Sequence, residues 1–301
     1  MLKKISPSDH ARLKPYFDAQ LYPLCPYSLA SMIIWSGCVH EAFWREENGA
    51  LFLSEIDIEE PRQGRLLLPL LRPFRYPTPR ELADAARALG YQEYHYVPQD
   101  YVEIIGSDNI AAYFNVTEES GYGDYVYNTQ DMAQLRGHKY SRKRNMISQF
   151  CKAAGPGVKV HPLEGAWLEK CLRVFDDWQT RQGGPVIADI PNCERKAIVN
   201  GLSHFRELGM TGVAVEAGGK VAGFAFGSRL TADTWTLNFE KADAAVKGLY
   251  QFLDSEAAKT VPAEYRFINK ENDLGLPGLR KAKESYYPAR FVKSYILGLK
   301  A

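Results

Sequence analysis

Gly212 to Phe239 reads GVAVEAGGKVAGFAFGSRLTADTWTLNF, the stretch from which the fold is built outward. Two apolar runs, 212–216 and 220–229, flank Gly218-Gly219, a pair suited to the tight turn of a β-hairpin. Residues 234–239 follow as a third strand, alternating polar and apolar side chains as far as Leu237. Upstream, Ile198, Leu202 and Phe205 form one stripe of a helix over 194–208, which Gly209 stops. Before it lie a short strand at 158–161 and a helix at 163–178. Downstream come a helix at 248–259, a strand at 265–269, a helix at 277–284 and a last strand at 291–297. Helices and strands interleaved around a hairpin make an α/β order with a mixed sheet.

The first half repeats that order. Ser6, Pro7 and Asp9 open a helix. A second, apolar helix covers about 28–35, and Asn48-Gly49 sets a hairpin inside 42–53. After a strand at 65–71, Thr78-Pro79-Arg80-Glu81 is a capping box with proline just inside the helix, and Gly90 ends that helix. A strand at 91–97 follows. The breaker cluster Ala153-Ala-Gly-Pro-Gly157 comes after a basic helix. A chain of 301 residues is therefore expected to divide there into units 1–154 and 155–301. One large α/β unit is the alternative.

Composition narrows the function. Hydrophobic residues at 46% and charged residues at 24% suit a packed globular core. The 37 Lys plus Arg against 36 Asp plus Glu give no global attraction to nucleic acid or membrane, so any such role needs a local patch. No apolar run approaches the ~18 residues of a membrane span, and Met1-Leu-Lys-Lys-Ile5 lacks the apolar segment of a signal peptide. Cys25, Cys38, Cys151, Cys171 and Cys193 are scattered, odd in number and without metal-ligand spacing. They are expected to be reduced, packed thiols of a cytoplasmic protein. The six histidines are dispersed, and no GxSxG elbow, HExxH pair or complete P-loop occurs, which speaks against metal catalysis and serine hydrolysis.

Three stretches carry a family resemblance: Tyr125 to Asn145; Asn238 to Asp243 with Lys247 to Tyr250; and Ile268 to Pro288. From Asp124 to the C-terminus, the sequence resembles a bacterial family related to the C-terminal catalytic domain of phosphatidylglycerol lysyltransferases. More distantly it is similar to the peptidoglycan aminoacyltransferases that use aminoacyl-tRNA. The resemblance implies two tandem GNAT-like acyl-CoA N-acyltransferase domains, with the donor site in the second. It implies the reaction only loosely, because fold does not fix function.

Acyl transfer needs a held donor, an acceptor amine that loses a proton, and often an acid for the leaving group. A strand that ends in a loop feeding a helix N-terminus presents free N–H groups and a favourable dipole to an anion. Phe239, Lys241, Lys247, Gly248, Leu249 and Tyr250 lie in such a layout, and the resemblance places the coenzyme A pyrophosphate on that loop. An ordinary capped helix accounts for the same residues. Glu240, at the strand exit, is the first choice for a general base; a loop-holding ion pair with Lys241, Lys247 or Arg280 is the alternative. Asn269, Glu271 and Asp273 stand at the next strand end, where they would touch donor or acceptor, or simply shape the turn. The resemblance matches Asn269 to a coenzyme-binding position. Arg280 and Lys283 share a helix face able to hold phosphates; a solvated face is the alternative. Tyr286 is, by resemblance, the acid that protonates the leaving group.

Arg136 to Arg144 is the one strong charge patch, containing Lys139, Arg142, Lys143 and Arg144 with Tyr140 among them. Basic side chains with an interleaved aromatic suit an RNA backbone; a solvated helix face is the alternative. The expectation is an acyl- or aminoacyltransferase that takes its group from acyl-CoA or aminoacyl-tRNA and passes it to a small-molecule amine, without a metal. Its rival is a binding module that keeps the fold without the donor.

Overall fold

The structure, a computed structural model, describes residues 2–38, 40–58, 64–181 and 190–300, with the side chains of 190 and 191 left aside. Its strands in chain order are β1 (Lys3–Lys4), β2 (His40–Glu47), β3 (Ala50–Asp57), β4 (Gly64–Leu71), β5 (Glu93–Pro98), β6 (Phe114–Glu118), β7 (Asp124–Asn128), β8 (Lys159–Pro162), β9 (Thr211–Ala217), β10 (Lys220–Arg229), β11 (Thr234–Ala242), β12 (Phe267–Asn269), β13 (Arg290–Val292) and β14 (Ser294–Leu299). The α-helices are α1 (His10–Ala19), α2 (Leu29–Trp35), α3 (Pro79–Leu89), α4 (Gln99–Ile105), α5 (Ser107–Ala111), α6 (Thr129–Gln134), α7 (Ser141–Ala154), α8 (Leu168–Arg181), α9 (Ile190–Ser203), α10 (Leu249–Thr260) and α11 (Pro277–Glu284).

Local signals account for much of this. Asn48 and Gly49 both take positive φ, the backbone a two-residue hairpin turn demands, and Glu47 pairs with Ala50 across it. At α3 the Thr78 hydroxyl accepts from the Glu81 N–H (3.3 Å) while the Glu81 carboxylate accepts from the Thr78 N–H (2.7 Å). Two helix-end donors are thereby satisfied reciprocally.

Two seven-stranded mixed sheets result, ordered β1-β2-β3-β4-β5-β14-β6 and β13-β7-β12-β11-β10-β9-β8. They share one plan. A four-strand antiparallel meander is followed by a strand parallel to its last member, β4 with β5 and β11 with β12. The sheets divide the chain elsewhere than at 154/155. β7, with α6 packed beside it, joins the second sheet, and the C-terminal β14 returns to the first, inserting between β5 and β6. The single strand expected at 291–297 is accordingly two, broken at Lys293 where the chain crosses between sheets.

One apolar core spans the first sheet, α2, α8 and α9 and one face of the second sheet; a smaller one lies under α10 on the opposite face. Cys38 and Cys193 form a disulfide between the turn after α2 and the start of α9. This corrects the expectation of five reduced thiols. The partners lie 155 residues apart, and only the packing of α2 on α9 brings them together. Cys25 and Cys171 are buried free thiols and Cys151 is exposed.

Candidate active site

β11 and β12 are in parallel register only from Thr234–Phe267 to Thr236–Asn269. Beyond that β11 continues to Ala242 along β10, β12 stops, and the strands part. The opening sits at the C-terminal end of a parallel pair, where α/β proteins collect ligands. A bulge shapes its edge. Phe226 pairs with Phe239 and Gly227 with Leu237, so Asn238 is the extra residue. Bulges re-aim side chains. Here Asn238 reaches Ser31 on α2 at 2.5 Å, Phe239 stacks on Trp35 at 5.3 Å, and Glu240 is sent to the opposite face, toward α10.

On the α10 face, the Lys270 ammonium donates to Glu240 Oε2 at 2.9 Å and to Asp254 Oδ1. Glu240 Oε1 and the Tyr286 hydroxyl are buried without a hydrogen-bond partner. Burial, reinforced by the Asp254 charge and opposed by Lys270, pushes Glu240 up to about 7. Burial also holds Tyr286 well above its ordinary value, with Asp254 adding to it, so its hydroxyl keeps its proton. Lys143 lies 3.6 Å over the Tyr286 ring and donates to Ser285 Oγ at 2.6 Å; burial lowers it to about 8. A carboxylate poised near neutrality beside a protonated phenol is the pairing that general base and general acid require.

On the α2 face, Asn269 is completely buried. Its amide donates to Pro23 O (3.0 Å) and Asp124 Oδ2 (2.7 Å), and its carbonyl accepts from the Glu271 N–H (2.6 Å). Asn269 therefore braces the splay from behind. Glu271 has φ 60°, a left-handed backbone that costs a residue with a Cβ about 1–2 kcal/mol. Lys283 donates to the carbonyls of Lys270, Glu271 and Asn272, capping the strand end. Asp273 accepts from Tyr125 Oη at 2.6 Å and from Arg280 at 2.8 Å.

The loop expected to cradle a pyrophosphate has other commitments. Lys241 is buried in an ion pair with Glu194 (3.0 Å) under the Trp178 ring (3.8 Å). Asp243 puts a carboxylate in the loop, accepting from the Ala245 N–H and pairing with Arg181. Gly248 has φ 84°, and a Cβ there would overlap the carbonyl oxygen of Met146. Close packing of α7 is the structural demand for glycine at this point. Leu249 is core, burial pushes Tyr250 up to about 12, and Lys247 is exposed.

The basic run splits. Arg136, His138, Lys139 and Arg142 are exposed, with Lys139 3.5 Å from Asp131. Lys143 turns inward to Tyr286, and Arg144 donates to the carbonyls of Leu135 and Gly137 at the end of α6. Among the described residues no group of His, Cys, Asp and Glu could hold a metal ion, and no helix is long and apolar enough to cross a membrane.

The first sheet has the same splay, already filled. β4 and β5 share a single parallel pair, Leu66–Tyr94, and two residues on Tyr96 turns left-handed (φ 54°), as Glu271 does two residues after Asn269. Here the Tyr27 hydroxyl accepts from the Leu68 N–H at 3.0 Å and the Tyr22 hydroxyl donates to Pro69 O at 3.3 Å. Tyr22, Tyr27, Phe74, Tyr76 and Tyr101 form a chain of ring contacts there.

Sequence reasoning missed Lys270, Asp254 and Asn238. Asp254 did carry a signal: an acid between Leu253 and Ala257 on an apolar helix face, a position that needs a buried cation. Lys270 stood beside Asn269 in a stretch already singled out.

A model of the family described as phosphatidylglycerol lysyltransferase, C-terminal, matches residues 71–298. No functionally curated protein matches the sequence. Among solved structures, a conserved protein of unknown function from Bacteroides thetaiotaomicron is 26% identical, with TM-score 0.89 over 99% of both chains. L-PGS from Bacillus licheniformis is 13% identical, with TM-score 0.65 over 98% of this chain and 92% of that one. A tandem GNAT protein from the clavulanic acid biosynthesis pathway is 8% identical, with TM-score 0.52 over 99% and 98%. The last two likenesses show the fold: tandem acyltransferase-type units.

Proposed function

Because this chain belongs to the family of phosphatidylglycerol lysyltransferase C-terminal domains, we propose that it is an acyltransferase whose reaction takes place in the β11–β12 splay. Its donor would be an aminoacyl ester of the aminoacyl-tRNA kind and its acceptor an amine. The family is one of lysyltransferase domains and the fold is that of tandem N-acyltransferases, so transfer of an acyl or aminoacyl group is the common ground. The observation that carries the reading is the Glu240 carboxylate: buried, one oxygen on Lys270 and the other without a partner, where the parallel strands separate.

The chemistry balances with the groups present. The acceptor nitrogen attacks the ester carbonyl carbon and its proton passes to Glu240. The C–O bond breaks and the departing alkoxide takes the proton of Tyr286. The proton gained by Glu240 then restores the phenol, so that one proton passes in all from the amine to the alcohol. Lys270 neutralises Asp254 and fixes the orientation of Glu240.

Two features favour an aminoacyl ester over acyl-CoA. The β11–α10 loop offers a pyrophosphate one exposed cation, Lys247, beside the Asp243 carboxylate. Arg136, Lys139 and Arg142, by contrast, are three exposed cations of the run that also carries Lys143, whose ammonium lies over the Tyr286 ring; the Lys139 ammonium is 5.5 Å from the Tyr287 ring and 3.5 Å from Asp131. The test is to incubate the protein with charged total tRNA or with acetyl-CoA, each with and without a panel of amines, and follow donor loss and amide formation. Amine-dependent deacylation of tRNA that Glu240→Gln abolishes supports the reading. Consumption of acetyl-CoA instead moves the donor assignment. If neither donor is consumed or bound, the chain is a binding module that keeps the fold without the chemistry.

A further inference from the structure

Three residues near the end of β11 are held on one face by two helices. Asn238, the extra residue of the bulge, accepts from the Ser228 hydroxyl at 2.8 Å and donates to Ser31 on α2. Phe239 stacks on Trp35, the last residue of α2. The Lys241 ammonium is buried and bound to both carboxylate oxygens of Glu194 on α9, at 3.0 and 3.1 Å. Glu240 lies between these anchors and faces the other way, onto Lys270. The bulge sets that direction, because one extra residue reverses the facing of every side chain that follows. Whatever holds Asn238, Phe239 and Lys241 therefore aims Glu240.

The two helices are tied to each other beside these anchors. Asn200 of α9 donates to Ile34 O at 3.1 Å and Lys196 donates to Gly37 O, both carbonyls at the C-terminal end of α2. Just beyond them Cys38 is bonded to Cys193. Cys38 stands three residues after Trp35, and Cys193 directly precedes Glu194. The bond thus joins the two anchors of β11 through their own helix ends. A helix start opens readily, since its first N–H groups have no partners within the helix, and both Cys193 and Glu194 lie near the start of α9. With the sulfurs joined, Glu194 is kept on Lys241. With them apart, the start of α9 can open, and the buried ammonium then loses the carboxylate that offsets its burial.

Resting on the reading of the splay as a transfer site, we propose that the Cys38–Cys193 disulfide regulates it: the oxidised chain holds Glu240 in place, and a dithiol turns transfer down. Cys38 is the more exposed partner, so the reductant's thiolate attacks its sulfur. The S–S bond breaks, a mixed disulfide forms at Cys38, and Cys193 leaves as a thiolate in the first turn of α9, where the helix dipole favours negative charge. The second thiol of the reductant then displaces Cys38. Two electrons and two protons pass to the protein, which ends with two thiols, and the reductant ends as its own disulfide.

Hydrogen exchange read by mass spectrometry tests the clamp on the full chain without turnover. Dithiothreitol should speed exchange across residues 238–242 of wild type by about tenfold or more, and oxidised glutathione should restore it. Cys38→Ser/Cys193→Ser should exchange at the fast rate and ignore both reagents. Thr78→Ala is the control: it removes the cap of α3 and so destabilises the chain elsewhere, with the disulfide intact. Its residues 238–242 should exchange at the wild-type rate. Transfer should slow by about tenfold or more on reduction, as for a misplaced catalytic group, and return on reoxidation. Equal exchange at 238–242 in the two redox states, or the same rise in Thr78→Ala, overturns the inference and leaves the bond an ordinary cross-link. Transfer that proceeds equally in both states overturns it too, with the transfer reading intact. A chain that transfers nothing in either state, yet keeps the redox-dependent exchange, loses the transfer reading and keeps the clamp.

Discussion

Lys270 binds one oxygen of the Glu240 carboxylate at 2.9 Å, and the other oxygen, Oε1, is buried with no partner. Half of the acid is thus tethered and half is open to a proton. Glu240→Gln should lower turnover by about 10²–10⁴-fold, the usual worth of a general base. With Glu240 pushed up to about 7, wild-type activity should fall as pH drops below 7, when the base is protonated. Stability gives an independent sign. Folding raises this pKa from 4.5, so the native state binds the proton more tightly, and wild-type stability is lost as pH rises from 4.5 to about 7. The Tm of Glu240→Gln relative to wild type should therefore climb from pH 5 to pH 8. Full activity in Glu240→Gln at every pH would remove the residue from the mechanism.

The split of the basic run separates contact from architecture. Reversing the exposed Arg136 and Arg142 to Glu should leave Tm unchanged. It should flatten the salt dependence of RNA binding by about 1.5 in log–log slope, two phosphate contacts' worth. Reversing Lys143 and Arg144, which bind Ser285 and the end of α6, should lower Tm first. Filter binding over a salt series, with melting curves on the same samples, distinguishes the two pairs. An unchanged slope for Arg136 and Arg142 leaves that surface without an RNA role.

Tyr27 closes the first splay by accepting the Leu68 N–H. Tyr27→Phe keeps the ring and strands that donor in the core, at a cost of about 1–3 kcal/mol. Chemical denaturation should show the loss while activity at the second splay stays intact. A variant as stable as wild type would mean that water replaces the hydroxyl.

The Cys38–Cys193 link predicts a thiol count. Denatured without reductant, the chain should titrate three thiols, Cys25, Cys151 and Cys171, and five after reduction. Reduction should cost about 2–4 kcal/mol of stability. Five thiols in freshly purified, unreduced protein would show the cysteines apart.

Much of the candidate site was legible as types and spacings. Glu240 could be singled out because a carboxylate at a strand exit before a helix is placed either for a base or for a loop-holding ion pair, and Tyr286 because family resemblance singled out its neighbourhood. The ion pair is present, with Lys270 rather than Lys241, Lys247 or Arg280. Lys270 was not chosen, because a lysine in a loop is ordinary until a fold buries it between two acids. Lys241 and Lys247 looked alike in sequence; packing put one under Trp178 and left the other in solvent. Gly248 looked like a phosphate-binding glycine, and the tight approach of α7 is its visible cause.

What the sequence determined by itself is local. The Gly218-Gly219 and Asn48-Gly49 hairpins, the Thr78–Glu81 capping box and the alternating strands all rest on backbone preferences and bonds between near neighbours, which no distant residue needs to supply. The tertiary structure alone decided that β7 and β14 trade sheets, that Cys38 meets Cys193, and that one splay is sealed by Tyr27 while the other holds Glu240 against Lys270. Each of these joins groups far apart in the chain. Their burial and charge are set by which surfaces pack together, and a side chain's pKa, partner and reactivity follow from that burial rather than from its neighbours in sequence.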